Sequence, residues 1–430
     1  MKKWQGKCSV VLRPASTKEV SQIMKHCYAR NLAVVPQGGN TGLVGGSIPV
    51  YDEIVISLGR MNAVESLDPV QGIVTVQAGC ILEQLTSYLD AYDLTAPLDL
   101  GAKGSCMIGG NIATNAGGLR YVRYGSLRGT VLGLEVVLAD GTVLDSLTSL
   151  RKDNTGYDLK QLFIGSEGTL GVITRASILC PRKPTSVQVL FLALRTYDEV
   201  LRAMKLARTH LQEIISAIEF QDIESLNLVL KHIPGARDPL PERSAFYMLI
   251  ETSGSNASHD AEKISEFLAA LEKEDLLVNG TLAESEKQSQ ELWKLREAIS
   301  ESLSKEGYVY KYDVSLPVAQ MYNLVEKTRM RLQNATAHVV GYGHLGDGNL
   351  HLNIVCPKAD NDVLSLLEPW LFEQLKSYRG SISAEHGLGQ AKNSFIYYSK
   401  SPESVRLMQQ LKHFFDPKGI LNPYKVLPPN

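Results

Sequence analysis

The pattern of apolar and polar positions divides the chain into two regions of different character. Up to about Pro181, short Val, Ile and Leu runs alternate with helical patterns and dense glycine, which predicts an α+β or α/β domain over residues 1–181. The segment Thr17–Arg30 is one predicted helix, because Ser16 or Thr17 can cap it. Its apolar residues recur three and four positions apart, at Val20, Ile23, Met24 and Cys27.

From about Thr185 the glycine density falls and the layout changes. Two strand-like runs, Val187–Leu194 and Ala245–Thr252, are each followed by an amphipathic helix, Tyr197–Leu211 and Asp260–Glu274. This repetition predicts an antiparallel sheet with helices, in a second domain at residues 182–390. The last stretch, residues 391–430, combines a predicted helix over Pro402–Phe415 with a turn-rich segment that we expect to act as a clasp.

Composition changes this picture little. The chain has 430 residues and a formal net charge of −2, so no charge excess indicates nucleic-acid or membrane-surface binding. The six cysteines are scattered singly, which favours a reducing compartment. No apolar run reaches the ~18 residues of a spanning helix. The opening Met1–Trp4 leads within a few residues into strand-like Ser9–Pro14, which leaves no room for a transit peptide.

Three glycine-rich segments indicate a bound dinucleotide. They lie at residues 36–47, 101–118 and 165–174, all in the first region. Loops rich in glycine let several backbone N–H groups converge on an anion without interference from Cβ atoms. One such loop is as well explained by tight turns, but three together favour a diphosphate-containing cofactor. We expect the third loop to bring backbone amides to an isoalloxazine edge.

The one literal Gly-x-Gly-x-x-Gly motif, Gly341 to Gly346, is not interpreted as a nucleotide site. It is followed by Asp347-Gly348 and an alternating strand pattern, whereas the dinucleotide fingerprint requires a strand before it and a helix after it.

The strongest chemical signal is a predicted hairpin. Strand-like runs at residues 337–345 and 349–355 flank Asp347-Gly348, a dipeptide typical of a two-residue type I′ turn. That turn places His344 opposite His351 and Tyr342 opposite Asn353. Directly opposed residues have Cβ atoms ~4.5–5.5 Å apart, so the two imidazoles can share a metal ion. The alternative is a pair of ordinary strand histidines.

A third ligand is available in the glycine-flanked segment Ser383–Gly389. We assign Glu385 to the metal, because two histidines and one carboxylate leave open positions for a substrate. His386 is then free to act as a general base; the alternative is a residue that only hydrogen bonds beside the site. This ligand set suits Zn²⁺, Fe²⁺, Mn²⁺ or Co²⁺.

Six ordered motifs resemble the vanillyl-alcohol-oxidase-like family of FAD-linked flavoproteins, in its D-2-hydroxy-acid dehydrogenase branch. The resemblance covers nearly the whole chain and rests on Gly38–Gly42, Gly109–Gly118, Gly165–Gly171, Gly343–His351, Ala384–Gly387 and Asn422–Lys425. It implies an α+β fold with a PCMH-type FAD-binding domain, an antiparallel-sheet substrate domain with a zinc site, and a C-terminal segment that closes on the FAD domain. It also implies a mitochondrial matrix location and electron transfer flavoprotein as the acceptor.

The resemblance further implies a noncovalent FAD, because Asn40 stands where many relatives carry a tethering histidine. The residues it assigns to FAD lie in the glycine loops and near the C-terminus: Gly38, Gly39, Asn40, Thr41, Gly42, Gly45, Gly46, Ser47, Pro97, Asp99, Gly104, Ser105, Gly109, Gly110, Thr114, Asn115, Gly117, Gly118, Glu167, Gly168, Gly171, Ile173, Asn422 and Lys425.

The expected reaction is oxidation of D-2-hydroxyglutarate to 2-oxoglutarate, with the substrate held by Arg296, Ser300, Lys311, Asn353 and His386. From sequence alone, the first interpretation of Arg296 is a solvated helix charge paired with a neighbour. A D-lactate or glycolate dehydrogenase of the same family would need no cationic partner for a second carboxylate. The alternative from another class is a non-catalytic metal-binding protein whose glycine loops are structural.

Overall fold

The computed structural model describes residues 4–428, so Met1–Lys3, on which the expectation about a transit peptide partly rests, lie outside the described residues. The chain divides into two compact units. The first contains residues 4–118, 124–183 and 385–428, and the second contains residues 119–123 and 184–384. The chain therefore enters the second unit close to the expected boundary at 181/182 and leaves it six residues before the expected one at 390/391.

The first unit contains two sheets. A parallel sheet is formed by β1 (Val11–Leu12), β2 (Val34–Gln37) and β3 (Ile54–Ser57), in the order β1-β3-β2. An antiparallel sheet is formed by β4 (Val64–Asp68), β5 (Ile73–Gln77), β6 (Val131–Val137), β7 (Val143–Ser146) and β8 (Val172–Leu179), in the order β4-β5-β8-β6-β7. Every residue of β6 is buried, which explains why the strand is apolar apart from Glu135.

Six helices precede β8 in the described chain. They are α1 (Thr17–Arg30), α2 (Leu82–Asp90), α3 (Ile108–Thr114), α4 (Tyr121–Tyr124), α5 (Leu127–Thr130) and α6 (Lys160–Phe163). Helix α1 has the predicted bounds. The Ser16 side chain accepts a hydrogen bond from the Glu19 N–H, and the residues that α1 buries include Val20, Met24 and Cys27. The predicted cap and apolar face are confirmed.

The second unit is built on one antiparallel sheet. Its strands are β9 (Ser186–Leu194), β10 (Ile215–Asp222), β11 (Phe246–Gly254), β12 (Asn279–Leu282), β13 (Tyr308–Ser315), β14 (His338–His344) and β15 (Asn349–Cys356), in the order β12-β9-β11-β10-β14-β15-β13. The predicted antiparallel sheet is confirmed, with strand ends within two residues of the expected positions.

Helices cover both faces of this sheet. They are α7 (Tyr197–His210), α8 (Ile223–His232), α9 (Ala257–Lys273), α10 (Glu286–Glu297), α11 (Ile299–Glu306), α12 (Met321–Arg331), α13 (Asn361–Leu367) and α14 (Trp370–Ser377). Apolar residues of α8, α10 and α11 share a core with one face. Helices α7 and α12 pack on the other face through the rings of Tyr197 and Tyr322.

The C-terminal segment belongs to the first unit. Helix α15 has the predicted bounds, Pro402–Phe415. After it, Ile420 and Leu421 join the core of the first unit, and the backbone of Val34 exchanges hydrogen bonds with Ile420 and Asn422 at 2.8 Å each. The segment thus extends the parallel sheet, which confirms the predicted clasp. Within residues 4–428, no helix is both long and apolar enough to cross a membrane.

Candidate active site

Two histidines come together on the hairpin of β14 and β15. In the observed register His344 lies opposite Asn349 and Tyr342 lies opposite His351, so the predicted direct opposition of the histidines is wrong. The error is two residues. Because strand side chains alternate between faces, both imidazoles still lie on the same face. Their Nε2 atoms are 3.2 Å apart.

The register differs because the connecting loop has four residues, Leu345–Gly348, instead of two. Gly348 has the left-handed φ of 81° that a tight turn needs. However, Leu345 is completely buried, and the Gly346 N–H donates to the Ile218 carbonyl at 3.1 Å. These tertiary contacts remove both residues from the hairpin ladder and override the local preference for a two-residue turn.

The glycines of the literal Gly-x-Gly-x-x-Gly motif serve packing. Gly341 and Gly343 lie in β14. A Cβ atom at Gly341 would lie 2.6 Å from the Val325 side chain, and one at Gly343 would lie 2.1 Å from the Asn349 carbonyl oxygen. Neither could be replaced without displacing a neighbour, and the motif has no helix after it, as the sequence interpretation expected.

A buried carboxylate, Glu219 on β10, lies beside His344. The two residues are paired across the sheet, and Glu219 Oε1 is 2.7 Å from His344 Nδ1. Glu219 Oε2 accepts a hydrogen bond from Arg296 Nε at 2.8 Å and lies 2.7 Å from Arg296 Nη2. The sequence analysis missed Glu219. A usable signal was present, because its charge stands between the apolar residues Ile218 and Phe220 in β10.

A second acidic residue that the sequence analysis missed, Asp313, lies beside His351. It is paired with His351 across β13 and β15, and its Oδ1 is 3.8 Å from His351 Nδ1. The same Oδ1 accepts a hydrogen bond from Asn349 Nδ2 at 2.8 Å. Each histidine therefore has a buried carboxylate on its Nδ1 side.

This arrangement fits a divalent metal. With metal–nitrogen distances of ~2.0–2.1 Å, two ligands of a tetrahedral ion are roughly 3.3 Å apart, close to the observed separation of the two Nε2 atoms. In neutral His344, a proton on Nδ1 directed at Glu219 leaves the Nε2 lone pair for coordination. The ring orientation that metal binding requires is present.

The expected substrate residues of the second unit lie on the same face of the sheet. Ser300 Oγ is 3.0 Å from the Tyr342 hydroxyl, and the Arg296 guanidinium lies over the Tyr342 ring at 4.7 Å. Lys311 is paired with Asn353 across β13 and β15. Burial lowers the pKa of Lys311, and within the described residues its ammonium has no hydrogen-bond or ion-pair partner. Arg296 is buried, so its interpretation as a solvated helix charge is wrong.

Glu385 and His386 are the first two residues of the C-terminal segment of the first unit. Glu385 Oε2 accepts a hydrogen bond from the Gly118 N–H at 3.0 Å, and Glu385 Oε1 is 3.9 Å from His386 Nε2. The preceding residue, Ala384, ends the second unit, where its N–H donates to the Asp313 carbonyl at 3.3 Å. The metal and base assignments of this pair stay predictions.

The first glycine loop presents an unusual number of bare amides. Within the described part of the chain, no backbone N–H from Gly38 to Gly46 donates a hydrogen bond. The loop is nevertheless held in place. Gln37 Nε2 donates to the Ser47 carbonyl at 2.8 Å, and Ser47 Oγ donates to Asn40 Oδ1 at 2.8 Å. A fixed row of unbonded donors fits a polyanionic group such as a dinucleotide diphosphate.

The second glycine segment is not a loop throughout, which corrects the sequence interpretation. Residues Ile108–Thr114 form α3, although they include Gly109 and Gly110. The Gly109 N–H donates to the Ala78 carbonyl at 2.8 Å, and an added Cβ would lie 2.5 Å from Ala78 Cβ. Glycine is required here for close packing of the helix.

The third glycine loop uses backbone amides internally. The Gly165 and Glu167 N–H groups donate to the carbonyls of Ile112 and Ala113 at 3.0 and 2.7 Å, which completes the C-terminal end of α3. These two amides are therefore already bonded within the protein, and contact of the loop's other amides with a flavin stays a prediction. The Glu167 carboxylate accepts hydrogen bonds from the N–H groups of Leu388 and Gly389 at 2.8 Å each, while burial raises its pKa.

Near the C-terminus, Asn422 and Lys425 present buried polar atoms. Asn422 Nδ2 donates to the carbonyls of Gly46 and Glu167 at 2.9 and 2.7 Å. Its Oδ1, the Lys425 ammonium and Glu53 Oε1 have no hydrogen-bond partner among the described residues. Burial lowers the pKa of Lys425 to about 8, against the opposing attraction of Glu53 and Glu167. Buried polar atoms without partners fit a ligand-binding role. Glu53 was not predicted.

The other residues assigned to FAD all belong to the first unit. Around the second glycine segment, Gly118 adopts a φ of 83° and Asn115, with a φ of 49°, caps α3. The remaining positions lie before α3, within or just after it, or near the third loop: Pro97, Asp99, Gly104, Ser105, Gly110, Thr114, Gly117, Gly168, Gly171 and Ile173. Their contact with FAD stays a prediction.

Comparison with known proteins supports the same reading. Residues 8–146 match the family described as FAD binding domain, and residues 183–426 match FAD linked oxidases, C-terminal domain. A Danio rerio protein named D-2-hydroxyglutarate dehydrogenase, mitochondrial, is 57% identical over 430 residues, covering 100% of this chain and 80% of that protein. An Arabidopsis thaliana protein of the same name is 54% identical, covering 100% of this chain and 76% of that protein.

A comparison with solved structures identifies the fold class. The structure of p-cresol methylhydroxylase with substrate bound superposes with a TM-score of 0.78 at 14% sequence identity, covering 97% of this chain and 88% of that one. At this identity the likeness establishes the fold alone, and it confirms the expected PCMH-type α+β class. The family match over residues 183–426 and the sequence relatives show that the chain belongs to the family of FAD-linked oxidases.

Proposed function

We propose that the protein oxidises D-2-hydroxyglutarate to 2-oxoglutarate with FAD as the hydride acceptor. The observation that carries this proposal is the histidine pair, whose Nε2 atoms lie 3.2 Å apart on a sheet face that also carries the partnerless ammonium of Lys311. Such a face can hold a metal for the hydroxy acid end of a substrate and a cation for its second carboxylate. The names of the full-length relatives support the same substrate.

The metal, proposed as Zn²⁺, would be held by His344, His351 and Glu385. Glu385 follows Ala384 by one peptide bond, and the Ala384 N–H is fixed to the Asp313 carbonyl of the histidine-bearing sheet. This connection supports Glu385 as the third ligand. A bound divalent ion lowers the pKa of a coordinated hydroxyl and fixes its orientation, and FAD accepts the hydride.

The protein's own acid–base group would be His386. A neutral imidazole has one ring nitrogen that can accept a proton, so it can take the hydroxyl proton of the substrate. Loss of that proton from oxygen and of a hydride from carbon 2 converts the hydroxy acid into the oxo acid, with the electron pair passing to FAD. The glycine loops, Asn422 and Lys425 would hold FAD noncovalently, since Asn40 offers no imidazole for a covalent link.

The second carboxylate of the substrate is assigned first to Lys311. Arg296 already directs its Nε and Nη2 atoms to Glu219, which leaves Nη1 for a substrate, whereas the Lys311 ammonium is uncommitted. Ser300 and Asn353 complete the proposed pocket. We further propose a mitochondrial location, which the names of the relatives support. The matrix as the compartment and electron transfer flavoprotein as the acceptor are proposed from the family resemblance alone.

Turnover of D-2-hydroxyglutarate and D-lactate with an artificial electron acceptor tests this proposal. In Lys311→Met, we expect kcat/KM for D-2-hydroxyglutarate to fall at least about tenfold, because a charge-assisted hydrogen bond contributes about 1.5–3 kcal/mol. The value for D-lactate should change little. Lys327→Met is the matched control, since Lys327 donates to the Tyr378 hydroxyl away from this face. Equal wild-type rates on both acids, or unchanged selectivity in Lys311→Met, would favour a general D-2-hydroxy-acid dehydrogenase.

A further inference from the structure

One buried carboxylate connects two parts of the proposed site. Glu219 is 1% exposed, and both of its oxygens are engaged: Oε1 faces His344 Nδ1, and Oε2 faces Arg296 Nε and Nη2. Glu219 comes from the centre of β10 and His344 from the end of β14, while Arg296 lies in the last turn of α10. A single side chain therefore links the sheet and the helix.

We propose that Glu219 is a positioning residue of the metal centre, which holds His344 with Nε2 directed at the ion and orients the Arg296 guanidinium. This inference rests on the proposed metal site. Glu219 does not reach the ion itself in this account. It acts through the ring orientation and the proton position of His344.

The geometry explains why a carboxylate is needed. A histidine that binds metal through one nitrogen almost always donates the N–H of its other nitrogen to a fixed partner, and a carboxylate on Nδ1 increases the basicity of Nε2. The same carboxylate balances the charge of a buried guanidinium, which would otherwise be costly to bury. Glutamate meets both demands because it offers two acceptor oxygens, one for each neighbour.

The two histidines differ in the distance from Nδ1 to the neighbouring carboxylate. His344 Nδ1 is 2.7 Å from Glu219, within hydrogen-bond distance, but His351 Nδ1 is 3.8 Å from Asp313, beyond it. Of these two carboxylates, Glu219 is therefore the one placed to hydrogen bond with its histidine through Nδ1.

Glu219→Gln tests the proposal with little change of shape. The amide offers one oxygen and one NH₂ group, so His344 and Arg296 cannot both keep an acceptor. In FAD-loaded protein titrated with Zn²⁺ against a chromophoric chelator, we expect the apparent Kd for Zn²⁺ to rise about 10–100-fold. FAD absorption should be unchanged.

Glu251→Gln is the matched control. Glu251 is also buried, on the adjacent strand β11, and it accepts a hydrogen bond from Trp293 Nε1 at 2.9 Å and pairs with Arg120 at 3.2 Å. It resembles Glu219 in burial and charge but is not bonded to a histidine in the described contacts. The Zn²⁺ affinity of Glu251→Gln should stay within threefold of wild type. The melting temperature of this variant measures how much stability is lost when a buried carboxylate is replaced by an amide of the same shape.

His344→Gln separates the possible failures. If wild type and His344→Gln bind Zn²⁺ equally, the proposed metal site is wrong and the role of Glu219 falls with it. If His344→Gln loses Zn²⁺ but Glu219→Gln stays within threefold of wild type, only the role of Glu219 is refuted.

A measurement on the unaltered protein covers the case in which Glu219→Gln does not fold. The ¹⁵N NMR signals of His344, assigned by their loss in His344→Gln, report which ring nitrogen carries the proton in FAD-loaded, Zn²⁺-free protein. Protonated Nδ1 with bare Nε2 supports the proposal, and the opposite tautomer overturns it.

Discussion

The first unit presents backbone groups at its candidate site, whereas the second unit presents side chains. From Gly38 to Gly46 the described chain offers a row of N–H groups without internal partners. On the sheet of the second unit, two imidazoles and two acidic residues converge from four strands. A site made of backbone groups tolerates exchange of most side chains, but not of the glycines that leave its N–H groups accessible. A site made of side chains depends on the register of the sheet that carries them.

This difference determines how each site can be damaged. Adding a methyl group should injure the first site through steric conflict, and removing one imidazole should injure the second without disturbing its fold. The predictions below use that contrast.

The largest effect is expected from His351→Ala. Loss of one metal ligand should lower kcat/KM about 1000-fold or more, since a bound metal contributes several kcal/mol to transition-state stabilisation. FAD content, read from its visible absorption, should be unchanged. His338→Ala is the control on the same hairpin, because His338 pairs with Glu224 at its surface end. Retention of more than a tenth of the wild-type kcat/KM in His351→Ala would contradict a metal-dependent reaction.

A second prediction concerns the stability of FAD-free protein between pH 8 and 10.5. Burial lowers the pKa of Lys425 to about 8 from 10.5. In that window the unfolded chain binds a proton that the folded protein has lost, so stability rises with pH. Relative to Lys425→Met, the wild type should gain up to about 3 kcal/mol across this range. Chemical denaturation measures the difference, and a flat or falling profile would show that Lys425 already has an anionic partner.

Two alanine substitutions in the first glycine loop separate folding from binding. A Cβ at Gly39 would lie 2.0 Å from the Ser105 carbonyl oxygen, whereas one at Gly42 has no described atom within 4 Å. Gly39→Ala should destabilise FAD-free protein by about 1–3 kcal/mol. Gly42→Ala should leave that stability unchanged and weaken FAD binding. Similar FAD affinity in Gly42→Ala and wild type would remove this residue from the proposed cradle.

The smallest effect is expected at the hairpin loop. Gly348 has a φ of 81°, a conformation that alanine adopts at a penalty of about 1–2 kcal/mol. Gly348→Ala should lower the free energy of unfolding by that amount, and Gly348→Asn by less, because asparagine enters the left-handed region more readily. Equal losses for both would point to crowding against the Leu316 carbonyl, 3.1 Å from an added Cβ.

Local signals were sufficient for much of the fold. Helices α1 and α15 have their predicted bounds because caps and apolar spacing lie within the segments themselves. The two histidines share a face as expected, because an even shift in register preserves side-chain orientation.

Features set by distant contacts could not be predicted. The loop length depends on the bond from Gly346 to Ile218, and α3 depends on packing against Ala78. Glu219 and Asp313 approach the histidines only because β10 and β13 border the hairpin in the sheet. Strand order determines which residues meet the histidines, whereas the isolated charge of Glu219 in β10 marks that residue only as unusual.

The most direct test of the central claim is metal-edge X-ray absorption on Zn²⁺-reconstituted, FAD-loaded protein. The account predicts about one ion per chain with nitrogen and oxygen ligands at ~2.0–2.1 Å, including two imidazoles, and loss of one imidazole in His351→Gln. Sulfur ligation, or a spectrum unchanged by that substitution, would contradict it.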